Sequence, residues 1–236
     1  MTTALLSTTY FGPIQWYQKL NSYDHCLIEQ YDSFQKQTYR NRCIIATTQG
    51  LQALTVPVEH NRPLPLENGQ QTAPDTLTTK DIRISDHGNW RHLHWNALQS
   101  AYGESPFFEF YADDIRPFFE QRWDYLIDFN RAITEKMCEL LDLRPQMHLT
   151  TEWHEMLPGA RDFRSVIRPK HPEPDAEFLP RPYYQVYGQK FGFQPNLSIL
   201  DLLFNEGNES ILKIVSTQPL QPLPNPPQKG KERYRL

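Results

Sequence analysis

TALLSTTYFGPIQWYQKLNSYDHCLIEQ, residues 3–30, decides the fold of this chain. Residues 3–10 and 25–30 are rich in apolar and β-branched side chains and predict two strands. Residues 13–22, between them, begin with proline and carry apolar side chains at helical spacing, so they predict a short helix. A strand, a helix and a second strand in this order indicate an α/β protein with a β-α-β start.

Three later segments predict further strands. Residues 43–58, CIIATTQGLQALTVPV, contain two β-rich stretches around Gln49 and Gly50, a pattern that is typical of a hairpin. An antiparallel hairpin beside a β-α-β unit predicts a mixed central sheet. Residues 81–85 and 146–153 have strand-like composition, and we expect them to join this sheet.

Helical periodicity dominates two other regions. From Asn89 to Leu143 apolar residues recur at every third or fourth position, so we expect a long helical insertion of two or three amphipathic helices. Residues 198–207, SILDLLFNEG, predict a helix that Asn196 or Ser198 can cap at its start and that a glycine ends.

The domain organisation follows from composition. Residues 1–215 contain the periodic apolar segments and are expected to form one domain, because a chain of this size can bury a single substantial core. Residues 60–78 are rich in proline, asparagine and glutamine and predict a mobile loop. Residues 216–236 combine many prolines with no apolar period, so they predict a disordered tail.

Charge and cysteine content exclude several classes of protein. The formal net charge of −4 argues against a general nucleic-acid or anionic-membrane binder, because both need an excess of Lys and Arg. No run of about 18 apolar residues and no signal-peptide pattern occurs, so we expect a cytoplasmic protein without membrane insertion. Cys26, Cys43 and Cys138 include no CxxC pair and are interpreted as buried thiols.

No established catalytic, metal or cofactor motif is present. The sequence contains no GxGxxG, GxxxxGK[ST] or GxSxG motif, so it identifies no cofactor, and oligomeric state does not follow from it either. His92 and His94 in HGNWRHLHW point about 200° apart on a helix and cannot share a metal ion. We interpret His94 either as a catalytic base or as a hydrogen-bonded histidine at the edge of the core.

A basic segment indicates an anionic small ligand. RDFRSVIRPK, residues 161–170, places four cations within ten residues of an acidic protein, and guanidinium groups suit phosphate or carboxylate. Arg42, in the other half of the chain, could supply a further donor. The alternative is a solvated loop whose charges pair with Asp162, Glu152 or Glu155.

Two other places could contribute to a site. In open α/β sheets ligands tend to bind beyond the carboxyl ends of strands, so a site is expected at the turn after the first strand, near Tyr10. Residues 183–185 (YYQ) are expected to face the start of the 198–207 helix, whose N–H groups and dipole would favour an anion. Packing of aromatic and apolar side chains is the structural alternative at both places.

An ordered set of short motifs resembles the WbqC-like protein family over residues 10 to about 212. They are YFGPIQWYQKL, a polar turn ending in NR, LTVPV, NW…HW…AYGESPFF, DFRSVIRPK and YYQVY…FQPNLSILDLLFNEG. The family is named for a gene of bacterial O-antigen biosynthesis. The resemblance therefore implies a role in surface-polysaccharide assembly, with a nucleotide sugar or another small anionic metabolite as ligand.

Two functions are compatible with these patterns. The first is an enzyme, such as a group transferase, that acts on an activated sugar or similar anionic metabolite by positioning and charge stabilisation. The second is a noncatalytic binding or scaffold protein of the same pathway. The predicted site has His94 as catalytic residue, no metal ligand, and as substrate-binding residues Tyr10, Arg42, Arg164, Lys170, Tyr184, Gln185 and Asn196.

Overall fold

The computed structural model describes residues 1–59 and 77–215. The predicted tail, 216–236, and nearly all of the predicted mobile loop, 60–78, lie outside the described residues. The strands are β1 (Thr3–Ser7), β2 (His25–Glu29), β3 (Arg42–Thr47), β4 (Gly50–Thr55), β5 (Met147–Leu149) and β6 (Ala160–Asp162). The α-helices are α1 (Ile14–Ser22), α2 (Trp90–Tyr102), α3 (Phe108–Ile115), α4 (Pro117–Glu120), α5 (Leu126–Leu140), α6 (Gly188–Phe191), α7 (Ile199–Glu206) and α8 (Ser210–Ile214).

The predicted β-α-β start forms and organises a four-stranded sheet. β1 pairs with β2 in parallel, with Leu5 opposite Leu27, and α1 connects the two strands. β5 adds to the outer side of β2, and β6 adds to the free side of β1, both in parallel. The sheet order is therefore β5-β2-β1-β6, and the α/β class is confirmed.

The strand order creates a switch point beside β1. Counted within this sheet alone, the order is third, second, first, fourth, as in the first part of a doubly wound sheet. The chain builds outward from β1 through β2 to β5 and then returns to the other side of β1. Ligands of such sheets bind at the carboxyl ends of the strands on either side of this reversal, here β1 and β6.

The hairpin forms but does not join the central sheet. β3 and β4 pair antiparallel as a separate two-stranded sheet, so the expected mixed central sheet is corrected to a parallel sheet and a hairpin. The strand expected at residues 81–85 is also absent: Thr79–Asp81 is a 3₁₀ turn, and Arg83 and Ile84 make only isolated bridges. Both segments pack around the helices instead of extending the sheet.

The helical region agrees with the predicted periodicity. α2 buries one stripe that includes Trp90, His94 and Leu98, and it ends at Tyr102. Three more helices, α3 to α5, complete the insertion, which therefore has four helices and not the two or three expected. Apolar residues on the inner faces of these helices join the side chains of the sheet in a single core.

The three cysteines are free and buried, as predicted. Their role is packing, because burial raises the pKa of each thiol to about 12 and so disfavours the reactive thiolate. Among the described residues, no helix has both the length and the apolar character needed to cross a membrane.

Candidate functional site at the carboxyl edge of the sheet

The first β-α turn has a strained backbone. Phe11 adopts φ 40°, a left-handed conformation that is unusual for a bulky residue. Its carbonyl oxygen accepts a hydrogen bond from Ser198 Oγ (2.8 Å), and the next carbonyl, of Gly12, accepts one from Ile199 N (2.9 Å). Gly12 is required here because a Cβ would overlap Thr9 Oγ1. The turn is thus fixed by the start of α7.

The start of α1 is capped by the same segment. Ile14 N donates to Leu197 O (3.0 Å), and Gln15 N donates to Asn196 Oδ1 (2.9 Å). These N–H groups are the donors that would hold a phosphate in many α/β proteins. Asn196 therefore serves as a cap for α1, and its role in binding substrate stays a prediction.

Glu29 is a carboxylate at the end of β2 with 0% exposure. Its Oε1 accepts hydrogen bonds from Tyr31 N (2.8 Å) and Thr150 Oγ1 (2.9 Å), which join the ends of β2 and β5. Its Oε2 accepts no hydrogen bond from the described residues and lies 3.6 Å from Arg164 Nη1. A buried carboxylate with one free oxygen needs a nearby positive charge, which Arg164 supplies.

Arg164 is fixed by contacts within the protein. Its Nε and Nη2 form a bidentate pair with Asp162, with a shortest distance of 2.6 Å. Nη1 donates to His154 O (3.0 Å), and Nη2 also donates to Glu155 O (3.0 Å). These hydrogen bonds use four of the five N–H groups of the guanidinium, and Nη1 also lies 3.6 Å from Glu29 Oε2. These contacts hold Arg164 beside Glu29, and its expected role in binding an anion stays a prediction.

Two hydroxyl groups complete this polar edge. Ser7 is opposite Glu29 in the parallel pairing, and its Oγ is buried without a hydrogen bond in the described part of the chain. Thr9 Oγ1 is likewise buried and has no hydrogen-bond partner in the described part of the chain. Buried polar atoms without a partner are uncommon in folded proteins, and beyond the carboxyl end of a strand a ligand could provide the missing partner.

Free positive charge lies on the adjoining loops. Arg168 Nη2 donates to Gln35 Oε1 (3.0 Å), and Lys170 Nζ donates to Gln37 Oε1 (3.0 Å). These two hydrogen bonds connect the loop that follows β6 to the loop that follows β2. Within residues 1–59 and 77–215, neither cation has a carboxylate within 4.0 Å. Their charges remain available to an anion.

A cavity of about 290 Å³ adjoins the first β-α turn. Thr8, directly after β1, lines it together with Ile28 of β2 and Leu149 of β5, so it opens beside the carboxyl ends of the three strands. Trp16 of α1 covers one side, and α5 contributes Arg131 on the other. This volume is close to the lower end of the range for small-molecule sites.

His94 and Tyr10 form a buried pair. Tyr10 Oη and His94 Nδ1 are 2.9 Å apart, and the His94 residue is only 6% exposed between the rings of Trp90 and Phe119. Burial lowers the pKa of His94 to about 4, against the opposing effect of a hydrogen bond with the Thr55 backbone, so the imidazole is neutral at pH 7. This burial fits the interpretation of His94 as a hydrogen-bonded histidine at the edge of the core. Its role as a catalytic base stays a prediction.

Gln185 belongs to a network around a buried carboxylate. Asp201, in the first turn of α7, accepts hydrogen bonds from Tyr183 Oη (2.6 Å), Tyr102 Oη (2.8 Å) and Gln185 Nε2 (3.1 Å). Burial raises the pKa of Asp201, whereas these donors act in the opposite direction. The corner that was expected to attract an anionic ligand thus contains a buried carboxyl group of the protein itself, and the predicted role of Gln185 in substrate binding stays a prediction.

The two remaining predicted residues lie elsewhere. Tyr184 has an exposed side chain, and its backbone N donates to Glu206 Oε1 (3.1 Å). Arg42 begins β3, where its Nε donates to Thr55 Oγ1 (2.9 Å) across the hairpin. Of the predicted residues, the structure places Arg164 and Lys170 on the loop that follows β6. The sequence reasoning missed Glu29, Ser7 and Thr9, although an acidic residue at the end of an apolar strand, HCLIE, was a usable signal.

Comparison with known proteins found a relative and a family that are similar to this chain. An uncharacterised protein of Mycobacterium tuberculosis, Rv1507c, is 27% identical in an alignment of 238 positions. The alignment covers 88% of this chain and 94% of the relative. No solved structure is significantly similar. The WbqC-like protein family matches residues 8–168, a range that runs from the first β-α turn to Arg168 and contains Glu29 and Arg164. The chain belongs to the WbqC-like protein family.

Proposed function

We propose that this protein binds a hydroxyl-bearing anionic metabolite, such as a nucleotide sugar, at the carboxyl edge of its parallel sheet and transfers a group to or from it. The observation that carries this proposal is the buried Glu29 carboxylate, whose Oε2 accepts no hydrogen bond from the described residues and lies beside Arg164, with the unpartnered hydroxyl of Ser7 opposite Glu29 in the strand pairing. Polar groups from neighbouring strands lie there, and one carboxylate oxygen and one hydroxyl keep unused hydrogen-bonding capacity among the described residues.

The chemistry of these groups suits a sugar-like ligand. A carboxylate oxygen with no donor can accept a hydrogen bond from a sugar hydroxyl or amine, and the hydroxyls of Ser7 and Thr9 can donate or accept. The same carboxylate can take the proton of an attacking hydroxyl or amine as the new bond forms. These residues lie at the point where a doubly wound sheet binds ligands.

The free cations give this site its preference for anions. Arg168 and Lys170 are held by neutral glutamine side chains, so a phosphate or carboxylate group can bind them without displacing an internal ion pair. In a group transfer, the electron pair of the broken bond leaves with a phosphate-type leaving group, whose charge these two residues would stabilise. Catalysis then depends on positioning and electrostatics.

Membership of the WbqC-like family supports the biological setting. The name of the family derives from a gene of O-antigen biosynthesis, so we place the reaction in the assembly of a bacterial surface polysaccharide. A noncatalytic binding protein of the same pathway would use the same edge of the sheet without proton transfer by Glu29. The two functions therefore share a binding site and differ in the role of one carboxylate.

A thermal-shift panel followed by an activity assay tests the proposal. The panel contains UDP-glucose, UDP-N-acetylglucosamine, sugar phosphates and acyl donors, and a ligand at 100 times its Kd should add about 2.7 kcal/mol of stability. Turnover by the wild type that Glu29→Gln abolishes, while binding persists, supports the enzyme. Binding without turnover in either protein supports the binding function, and no stabilisation by any compound contradicts both.

A further inference from the structure

A second cavity, of about 320 Å³, lies at the start of α2 and shares no lining residue with the first cavity. It is formed by the first turn of α2 and by α4 with the residues that flank it. Its wall includes three arginines and three large aromatic residues: Trp90, Arg91, Trp95, Arg116, Phe119 and Arg122. A cavity of this size can hold a small metabolite.

Arg91 provides a buried donor in this wall. Its guanidinium packs 4.6 Å from the ring of Trp90, its Nη1 pairs with Asp86 (2.6 Å), and its Nε donates to Gln121 O (3.1 Å). The remaining nitrogen, Nη2, is buried and donates to no acceptor in the described part of the protein. A ligand oxygen would satisfy this nitrogen, because an unpaired buried donor is costly.

The other two arginines extend the positive surface outward. Arg116 pairs with Glu120 (2.6 Å), and Arg122 pairs with Asp86 (3.4 Å), and both guanidinium groups are exposed. Asp86 also neutralises part of Arg91, so three guanidinium groups face two carboxylates. One positive charge is left over, and the first turn of α2, which has no side-chain cap, adds the positive end of its dipole.

Aromatic rings form an apolar part of the cavity wall. Trp95 lies 5.8 Å from Phe119, ring centre to ring centre, and both line the cavity. Trp95 is only partly buried, so part of its indole is accessible to a ligand. Planar rings stack on indole and on guanidinium planes, whereas the guanidinium edges bind phosphate.

We propose that this cavity binds a small molecule that carries both a phosphate group and a planar ring, as a nucleoside monophosphate does. The phosphate lies against Arg91 Nη2, Arg116 and Arg122, and the ring lies against Trp95. The cavity shares no charged residue with the carboxyl edge of the sheet, so this is a second site. It also gives a role to the HGNWRHLHW segment, which the proposed function does not use.

Calorimetric titration with adenosine monophosphate (AMP) tests this proposal, with tryptophan fluorescence as a second readout because Trp90 and Trp95 line the cavity. AMP should bind and quench fluorescence. Adenosine, which lacks the phosphate, and inorganic phosphate, which lacks the ring, should each bind at least about tenfold more weakly, since each loses one of the two sets of contacts.

Two paired variants distinguish the two sites. The double substitution Arg116→Ala/Arg122→Ala should weaken AMP binding by at least about tenfold and leave the urea midpoint nearly unchanged, because both side chains are exposed. Arg168→Ala/Lys170→Ala, at the edge of the sheet, should leave AMP affinity unchanged. Absence of AMP binding, equal affinity for adenosine, or loss of AMP binding only in the second variant would overturn the proposal.

Discussion

Glu29 Oε2 lies 3.6 Å from Arg164 Nη1, although Glu29 ends β2 and Arg164 follows β6, on opposite sides of β1. The pair therefore spans the carboxyl end of the first strand. It is oriented by Thr150 on one side and by Asp162 on the other. This arrangement places a buried carboxyl group beside a guanidinium at the carboxyl end of the first strand.

Arg164→Ala should destabilise the fold. The side chain is 14% exposed and is the cation nearest to the buried Glu29, so its removal leaves a carboxylate without a counter-charge, at a cost of about 3 kcal/mol. Urea unfolding measures this change. Arg144→Ala is the control, because Arg144 is 89% exposed and its pair with Asp142 should contribute at most about 1 kcal/mol. Normal stability with lost ligand binding would instead make Arg164 a direct ligand contact.

Lys19→Met should be among the most destabilising substitutions in α1. Lys19 has 0% exposure and pairs with Asp175 (2.8 Å) and Glu177 (3.2 Å), which attach the 175–177 segment to the helix. Removing one partner of a buried ion pair typically costs about 3–5 kcal/mol. The free energy of unfolding checks this. An exposed pair on another helix, broken by Arg131→Ala, should change it by less than about 1 kcal/mol; equal effects would contradict the structural role of Lys19.

His94 should make the fold less stable in mild acid. Its pKa is about 4 in the folded protein and 6.5 in the reference state, so between these values the unfolded chain binds a proton that the folded protein does not. The stability present above pH 6.5 is lost as the pH falls towards 4, by at most about 3 kcal/mol. Urea unfolding of wild type and His94→Gln at pH 7 and pH 4.5 should show a smaller loss in the variant. Equal losses would mean that His94 is not buried as described.

Asp201 should have the opposite pH dependence. Burial raises its pKa above 3.8 in the folded state, so as the pH falls the folded protein binds this proton before the unfolded chain does. The resulting stability is present below pH 3.8 and is lost as the pH rises through the folded pKa. The difference in unfolding free energy between wild type and Asp201→Asn should therefore favour the wild type more at pH 4 than at pH 7. A difference that is constant with pH would show that Asp201 ionises normally.

Local patterns in the sequence predicted much of the fold. The apolar runs of residues 3–10 and 25–30 and the proline-started helix between them were sufficient to indicate the β-α-β unit. The helical period correctly placed Trp90, His94 and Leu98 on the buried face of α2. Such patterns depend on contacts between neighbours in the chain, which the sequence expresses directly.

The features that the sequence did not predict depend on contacts between residues that are far apart in the chain. β6 has three residues, Ala160–Asp162, within a charged segment, so nothing local distinguishes it from a loop. Without β6 the switch point beside β1 is invisible, and so is the approach of Glu29 to Arg164. Asn196 likewise caps α1 from a position 181 residues away from Gln15, and no local pattern predicts that contact.

The most direct test of the central claim, that an anion binds at the carboxyl edge of the sheet, is a calorimetric titration of Arg168→Ala/Lys170→Ala. The titrant is the compound that most stabilises the wild type in the thermal-shift panel. We predict at least about tenfold weaker binding, because charge-assisted hydrogen bonds contribute about 1.5–3 kcal/mol each. Arg144→Ala, at the opposite edge of the sheet, should bind normally. Unchanged affinity in the double variant would show that Arg168 and Lys170 do not bind the anion at this edge of the sheet.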